Sequence, residues 1–377
     1  MGERPRILFL FSDTGGGHRS TAEAVIEALE LKYPGRHEIV MLDAFKRYAP
    51  KPLDRIPAMY PDMVKVPQAW GLFYRLSNGR RQAYALTAAS WPYVKSSVHR
   101  LLQEQSADLF VCVHPLLNEP FLRGLGRPRP AFLTVVTDLV STHVLWYNRK
   151  VDLCLVPTEA AQQRGLRYGM RPDRIRVAGL PVAQRYCRPP GDPVRLRMEL
   201  GWPQDRPVVL MVGGGEGMGP LFKTAQAIAR RRGDYALAVV AGRNERLKER
   251  LEAEDWEVPA FIYGFEKRLP EMMQAAALLV TKAGPSTITE AINAGLPMVL
   301  YSRLPGQEDG NVTYVVREGV GLWAPGPERT AEAVCAWLSQ PKLLEIAAET
   351  CRRVARPNAA GVVAETIIEL LAKPNPN

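Results

Sequence analysis

Residues 7–20, ILFLFSDTGGGHRS, carry five apolar residues into three successive glycines and then a histidine. An uninterrupted apolar run of that length suits a parallel strand buried on both faces. From Arg19 onward Ala22, Val25, Ile26 and Leu29 recur at helical spacing. The stretch therefore reads as strand, tight turn and helix, the junction from which α/β folds are built. Gly15, Gly16 and Gly17 let backbone approach a ligand closely, and the helix N-terminus favours an anion or a developing negative charge. His18 stands at the mouth of that helix. Two readings stay open here: a ligand cradle with a working histidine, or a structural turn with an ordinary first-turn residue. The stretch is no Walker A loop, since no Lys-Ser/Thr pair follows the glycines, and it lacks the spacing of a dinucleotide fingerprint.

Working outward, HEIVML (37–42) supplies a second strand, and strand-like runs recur at 109–113, 132–136, 153–156 and 175–177 with helical patterns between several of them. That alternation predicts a doubly wound parallel sheet. Residues 187–207 then gather five prolines and two glycines around one short helical piece, which reads as an interdomain linker. A second alternating block follows at 208–212, 236–240, 261–263, 278–281 and 298–301. It opens as the first did, with VVLMV running into GGGEGMG (213–219). Two Rossmann-like lobes facing across a cleft are the expected architecture, because ligands bind at the carboxyl ends of parallel strands. The expected divisions are an N-terminal lobe at 1–186, a linker at 187–206, a C-terminal lobe at 207–357, and a C-terminal helix and tail at 358–377.

Two further strand-to-helix junctions carry chemistry. In TKAGPSTITE (281–290) a helix starts near Pro285, which suits the first helical turn, and Lys282 with that helix N-terminus can hold a phosphate. Glu290 lies a turn further on, either accepting from a pair of ribose hydroxyls or facing solvent. LPGQEDGN (304–311) is rich in groups that bind sugar hydroxyls.

A formal charge of +10 over 377 residues points to an anionic partner, whether nucleic acid, an acidic membrane surface or phosphorylated substrates. Five cysteines are odd in number and far apart with no CxxC pair, as reduced cysteines of a cytosolic protein would be. The first apolar run is too short for a signal-peptide core, and no run of 18 apolar residues is present to span a bilayer. Any membrane connection is expected to be peripheral. Between residues 45 and 100, prolines break the regular pattern and aromatics including Trp70 and Phe73 are interleaved with bases including Arg80 and Arg81. Three readings compete: a segment lying on anionic lipid, a single-stranded nucleic-acid surface, or an ordinary helical insertion with its aromatics packed inward.

SDTGGGHRSTAEA (12–24), VTDLVSTHVLWYN (136–148), AGLPV (178–182), GGGEGMGP (213–220), AGRN (241–244), TKAGPSTITEAINAGLP (281–297) and GQEDGNVTYVV (306–316), in this order and spacing, resemble the monogalactosyldiacylglycerol synthases. The chain is similar, more distantly, to the lipid II-forming N-acetylglucosaminyltransferase and to the processive diglucosyl diacylglycerol synthases. The resemblance covers nearly the whole chain and implies a GT-B fold. Nucleotide sugar would sit mainly on the C-terminal lobe and lipid acceptor on the N-terminal one. One departure is Ser286, where plant members usually carry glycine after the proline.

Carried over, the resemblance puts uracil near Phe265, with Arg243 on the base or phosphate side. Diphosphate falls at Gly214, Gly215, Glu216 and Gly217 and again at Lys282 and Gly284, with Thr287 beside them. Ribose falls on Glu290, and the sugar faces Gln307 and Glu308 with Asn311 nearby. His18 matches the acceptor-side histidine, and Asp138 lies in the matching TDL loop. Gly15, Gly16 and Gly17 would line the acceptor side; His143 and Trp146 border its channel or pack in the core. Trp70, Phe73, Arg80 and Arg81 then belong to the membrane-docking element.

The implied reaction moves a hexose, galactose ahead of glucose, from a UDP-sugar to the free hydroxyl of 1,2-diacylglycerol. A β-glycoside formed from a UDP-α-sugar requires one inverting displacement and a base, for which imidazole is suited. His18 is the expected base, with Asp138 orienting or assisting it. No DxD carboxylate pair presents itself, so no metal or cofactor is expected in the chemical step. The expected setting is the inner face of the cytoplasmic membrane, on anionic lipid, with no nucleic acid; oligomeric state stays open. Two rivals remain: N-acetylglucosamine transfer to a polyprenyl-linked precursor, and a nucleotide-sugar or nucleic-acid binding protein without turnover.

Overall fold

β1 (Arg6–Phe11) is the hub of the first sheet, pairing in parallel with β2 (Glu38–Asp43) on one side and β3 (Leu109–Cys112) on the other. Beyond β3 lie β4 (Ala131–Val135), β5 (Leu153–Val156) and β6 (Ile175–Val177), so the order is β2-β1-β3-β4-β5-β6. The computed structural model describes residues 4–14, 16–63, 66–189 and 191–373. Its second sheet comprises β7 (Val208–Val212), β8 (Ala236–Val240), β9 (Ala260–Tyr263), β10 (Leu278–Lys282), β11 (Met298–Ser302) and β12 (Gly321–Trp323). Their order is β12-β11-β10-β7-β8-β9, again all parallel. This is the doubly wound α/β fold that the alternating pattern predicts.

Two compact units contain these sheets. The first comprises residues 1–184, 305–307 and 358–377; the second comprises 185–304 and 308–357. Residues 187–206, expected as a linker, group with the second unit, where Asp192 caps the helix Pro193–Leu200 through Val194 N. The helix Ala359–Leu371 belongs to the first unit, where Val363, Ala364 and Ile367 pack into the core beneath β1, β3 and β4. The end of the expected tail, 374–377, lies outside the described residues.

In each sheet the chain reverses its direction of travel at one point. In the first unit this falls between β1 and β3; in the second it falls between β7 and β10. Side chains just beyond those carboxyl ends border the crevice where doubly wound sheets bind ligands. The sequence places SDTGGGH after β1, HP after β3, GGGEGMG after β7 and AGPS after β10.

Between β2 and β3 the chain forms the helices Ala44–Tyr48, Ile56–Met63, Pro67–Ser77 and Arg80–Glu104. Tyr48, Tyr74 and Ala83 turn inward, and the Tyr74 hydroxyl donates to the Ser141 carbonyl at 2.6 Å. Leu72, Phe73, Leu76 and Tyr84 turn outward, each more than half exposed (61, 55, 64 and 74 %). Arg75, Arg80 and Arg81 are exposed beside them, with Trp70 half-buried. An insertion with all its aromatics packed inward is therefore not what forms. Among the described residues no helix is long and apolar enough to cross a membrane. All five cysteines are free; Cys112 and Cys154 lie in β3 and β5 as their apolar surroundings predict.

Candidate active site

In the first unit the turn after β1 is held from both sides. Arg19 grips Asp13 with two hydrogen bonds, Nε to Oδ1 at 2.6 Å and Nη2 to Oδ2 at 2.7 Å, and the Asp13 amide donates to Asp43 Oδ2 at 3.1 Å. Gly16 takes φ +79° as it enters the helix Gly17–Lys32, a left-handed conformation natural to glycine. Gly15 lies outside the described residues. His18, in the first turn of that helix, brings Nδ1 to 2.9 Å from the Thr137 hydroxyl, just beyond β4. The Val113 carbonyl, one residue past β3, favours the protonated form of the same ring. Burial lowers the His18 pKa to about 4 despite that carbonyl, so the imidazole is neutral at physiological pH.

A second histidine completes the cluster. The His114 ring meets His18 edge-on at 4.6 Å and Phe45 at 5.4 Å, and its Nε2 lies 3.1 Å from the Thr14 hydroxyl. Burial, reinforced by His18, holds His114 well below the ordinary imidazole value, and its Nδ1 is buried with no partner among the described residues. Asp138 accepts from the Trp146 indole at 2.7 Å. Trp146 is fully buried with its ring 6.1 Å from His18, so it packs in the core behind that histidine. His143 is buried too: its Nε2 lies 3.2 Å from the Ser77 hydroxyl, its Nδ1 accepts from Leu145 N, and burial lowers its pKa to about 4. Both residues read at first as possible channel borders are thus core-facing.

In the second unit the loop 213–219 folds back on itself, Met218 N donating to Gly213 O at 2.8 Å and Gly217 N to Gly214 O at 3.1 Å. Gly217 sits at φ +57° with Ala241 O only 2.3 Å from where a Cβ would be, so that position admits only glycine without distortion. Arg243 N donates to Gly215 O at 2.8 Å, its guanidinium pairs with Glu216 at 2.6 Å, and its Cζ lies 4.8 Å above the Phe265 ring. Phe265 is exposed, a free aromatic face beside a cation and a glycine-rich loop. The helix Pro285–Asn293 starts at Gly284 with no side-chain cap, leaving its first amides for a ligand. Thr287 is half-buried in that first turn.

Lys282, at the end of β10, pairs with Glu308 at 2.6 Å, both side chains largely buried. The other Glu308 oxygen accepts from Leu304 N at 2.7 Å. Glu308 is thus committed to Lys282 and the backbone. Asn311 donates to the Ala283 carbonyl at 2.9 Å and leaves Oδ1 buried without a partner among the described residues. Glu290 is half-buried, and burial lifts its pKa to about 7 against the pull of Arg185. Among the described residues no group of three or more His, Cys, Asp or Glu side chains could hold a metal ion.

Thr14 and Thr137 are the residues that sequence reasoning passed over. A threonine carries no charge and no diagnostic spacing, and the only signal for Thr137 was its place next to Asp138 at a strand end. His114 directly follows the strand-like run 109–113, and that position at a strand end is its signal in the sequence.

The family model described as monogalactosyldiacylglycerol synthase matches residues 18–182, and that described as glycosyl transferases group 1 matches 195–354. Monogalactosyldiacylglycerol synthase 1, chloroplastic, of Arabidopsis thaliana is 34% identical over 386 residues, spanning 99% of this chain and 72% of the relative. The spinach (Spinacia oleracea) enzyme is 35% identical over 379 residues, spanning 97% and 72%. Among solved structures, MurG of Acinetobacter baumannii aligns over 97% of this chain and 99% of its own, with a TM-score of 0.64 at 16% identity, which speaks to the fold alone. The two parallel six-stranded sheets are the GT-B glycosyltransferase architecture, and the chain belongs to the monogalactosyldiacylglycerol synthase family.

Proposed function

We propose that this protein transfers galactose from UDP-galactose to the free hydroxyl of 1,2-diacylglycerol, inverting the anomeric centre. Near-full-length similarity to plant galactolipid synthases at 34–35% identity supports that reaction over N-acetylglucosamine transfer or binding without turnover. The observation that carries the mechanism is His18, its Nδ1 2.9 Å from the Thr137 hydroxyl and its ring held neutral by burial, beside the reversal point of the first sheet. A neutral imidazole is the form that accepts a proton as the lipid hydroxyl attacks the sugar carbon. Charge gathering on the departing diphosphate is met by Lys282, the open amides at Ser286 and Thr287, and the glycine loop 214–217. Those groups do the work a metal would otherwise do, and activity is expected to survive chelation.

Uracil stacks at Phe265 with Arg243 beside it, ribose binds the Glu290 carboxylate, and the orphaned Asn311 Oδ1 takes a sugar hydroxyl. Lys282 reaches phosphate with the ammonium donors that Glu308 leaves open. The exposed apolar row Leu72, Phe73 and Leu76, with Arg75, Arg80 and Arg81, docks on anionic lipid at the cytoplasmic face of the membrane. Each basic side chain near such a surface contributes about 1 kcal/mol.

The test is a liposome assay supplying UDP-galactose or UDP-glucose with diacylglycerol. Galactolipid from the first donor, lost in His18→Ala, is expected. No glycolipid from either donor would overturn the function, and undiminished turnover in His18→Ala would overturn the base. Neutralising Arg80 and Arg81 together should weaken binding to anionic vesicles about 30-fold at low salt.

A further inference from the structure

We infer that one acyl chain of the acceptor lipid lies in an apolar cavity of the first unit, and that this cavity sets which acyl lengths the enzyme uses. The inference rests on diacylglycerol being the acceptor. Three helices surround the cavity: Ala44–Tyr48 with the turn that follows it, Arg80–Glu104 and Pro115–Leu125. Its volume is about 440 Å³, counting the part open to solvent. Protein interiors are close-packed, and a space of that size falls in the range of ligand pockets. Phe45, Leu101, Leu117 and Phe121 make its buried floor, while Ala49 and Val94 are half-buried and Leu116 is exposed, which marks the open side.

The lining decides the occupant. Among the described residues no charged side chain borders the cavity, and its two hydroxyls are those of Ser97 and Tyr48, the latter already donating to Glu104 at 2.7 Å. A buried water needs roughly two to four polar partners, and a sugar or nucleotide needs its own set of polar groups, so neither suits these walls. Of the molecules in the reaction, only the acceptor brings hydrocarbon. Position points the same way. Phe45 lines the cavity and its ring meets His114 at 5.4 Å, while His114 meets His18 at 4.6 Å. His114 is also the N-cap of the helix Pro115–Leu125, whose first turn supplies Leu116 and Leu117 to the wall. The cavity therefore adjoins the His18–His114 cluster, and a chain lodged in it leaves the glycerol hydroxyl beside that cluster. A chain that leaves a bilayer for these walls exchanges one apolar setting for another, so the transfer itself costs little. What the cavity adds is a fixed place for the hydroxyl.

The test measures kcat/KM at saturating UDP-galactose for dibutyryl-, dihexanoyl- and dioctanoylglycerol below their aggregation concentrations, in the wild type, Val94→Trp and Ala49→Trp. Taken from water, each methylene that enters the cavity should raise the wild-type value about fourfold. Tryptophan at either half-buried position fills the cavity from its open side. Both variants should lose at least about 30-fold with dioctanoylglycerol yet stay within about threefold of the wild type with dibutyrylglycerol, with calorimetric UDP affinity unchanged. A wild-type series that is flat in acyl length would overturn the inference. So would variants that keep the wild-type slope, because the chain then lies elsewhere, and so would an equal loss with all three acceptors, because the cavity then does not sort by length. Should one variant fail to fold, the other and the wild-type series decide. No galactolipid from any acceptor, diacylglycerol in liposomes included, would instead remove the reaction on which the inference rests.

Discussion

Acid should leave this enzyme's chemistry intact at a pH where an ordinary histidine base would be switched off. The perturbation is a shift from pH 7 to pH 5, measured as kcat/KM for diacylglycerol in mixed micelles at saturating UDP-galactose, where the donor carboxylates are occupied. With His18 at about 4, roughly 90% of it is still the free base at pH 5; at the ordinary value near 6.5 only about 3% would be, a thirtyfold contrast. The acid limb should therefore fall near pH 4. The same burial acts on stability with a definite sign. The unfolded chain binds a proton on this histidine below about 6.5 and the folded chain only below about 4, so stability is lost as pH falls through that window. At pH 5 the loss from His18 is about 2 kcal/mol, and His143, also at about 4, adds a similar amount in the same unit. Assays must therefore be short, with activity recovered on return to pH 7 as the control. An acid limb between pH 6 and 7 in reversible conditions would refute the burial argument for His18, and with it the claim that its ring is held neutral by its surroundings.

How far the sequence carried this reading depended on whether a feature was local. β1 and β7 were legible because strands buried on both faces are continuous apolar runs, and the glycine turns after them announce themselves. β12 was not, because it has three residues and opens on Gly321, where a Cβ would stand 2.4 Å from the Met298 carbonyl; a residue chosen for close packing looks like a loop residue in a linear pattern. The three readings of residues 45–100 could not be separated by composition, since only the fold decides that Tyr74 faces in while Phe73 faces out. In the site, Lys282 and Glu308 each looked suited to its own part of the donor. Their pairing across 26 residues of chain is a product of β10 and the segment after β11 meeting, and no spacing rule reports it. Thr137 was hidden by its neighbour, because a carboxylate attracts a mechanistic reading and a hydroxyl does not. The backbone placed the hydroxyl on His18 and gave the carboxylate the indole of Trp146.

If ribose binds Glu290 as proposed, donor binding follows its carboxylate, about half formed at pH 7 and lost on acidification, so calorimetric UDP affinity should fall several-fold from pH 8 to pH 6 and become flat in Glu290→Gln. Gly217→Ala, forced against the Ala241 carbonyl at positive φ, should destabilise the second unit by about 1–3 kcal/mol and abolish UDP binding, read by denaturant unfolding and calorimetry. Glu308→Ala tests whether Lys282 meets the diphosphate. Removing one partner of a buried pair leaves the other charge uncompensated, about 3–5 kcal/mol, and here it also takes the acceptor from Leu304 N. The melting temperature should fall sharply. If diphosphate binds at Lys282, UDP supplies the missing negative charge, so the ligand-induced rise in melting temperature should be larger in Glu308→Ala than in the wild type, whereas uridine, which lacks phosphate, should show no such gain. The comparison is a thermodynamic cycle in which the ligand stabilises by an amount set by its affinity for the folded state. Equal gains for UDP in the two proteins would mean that the diphosphate does not reach Lys282, and that the lysine and Glu308 form a structural pair beneath the donor site.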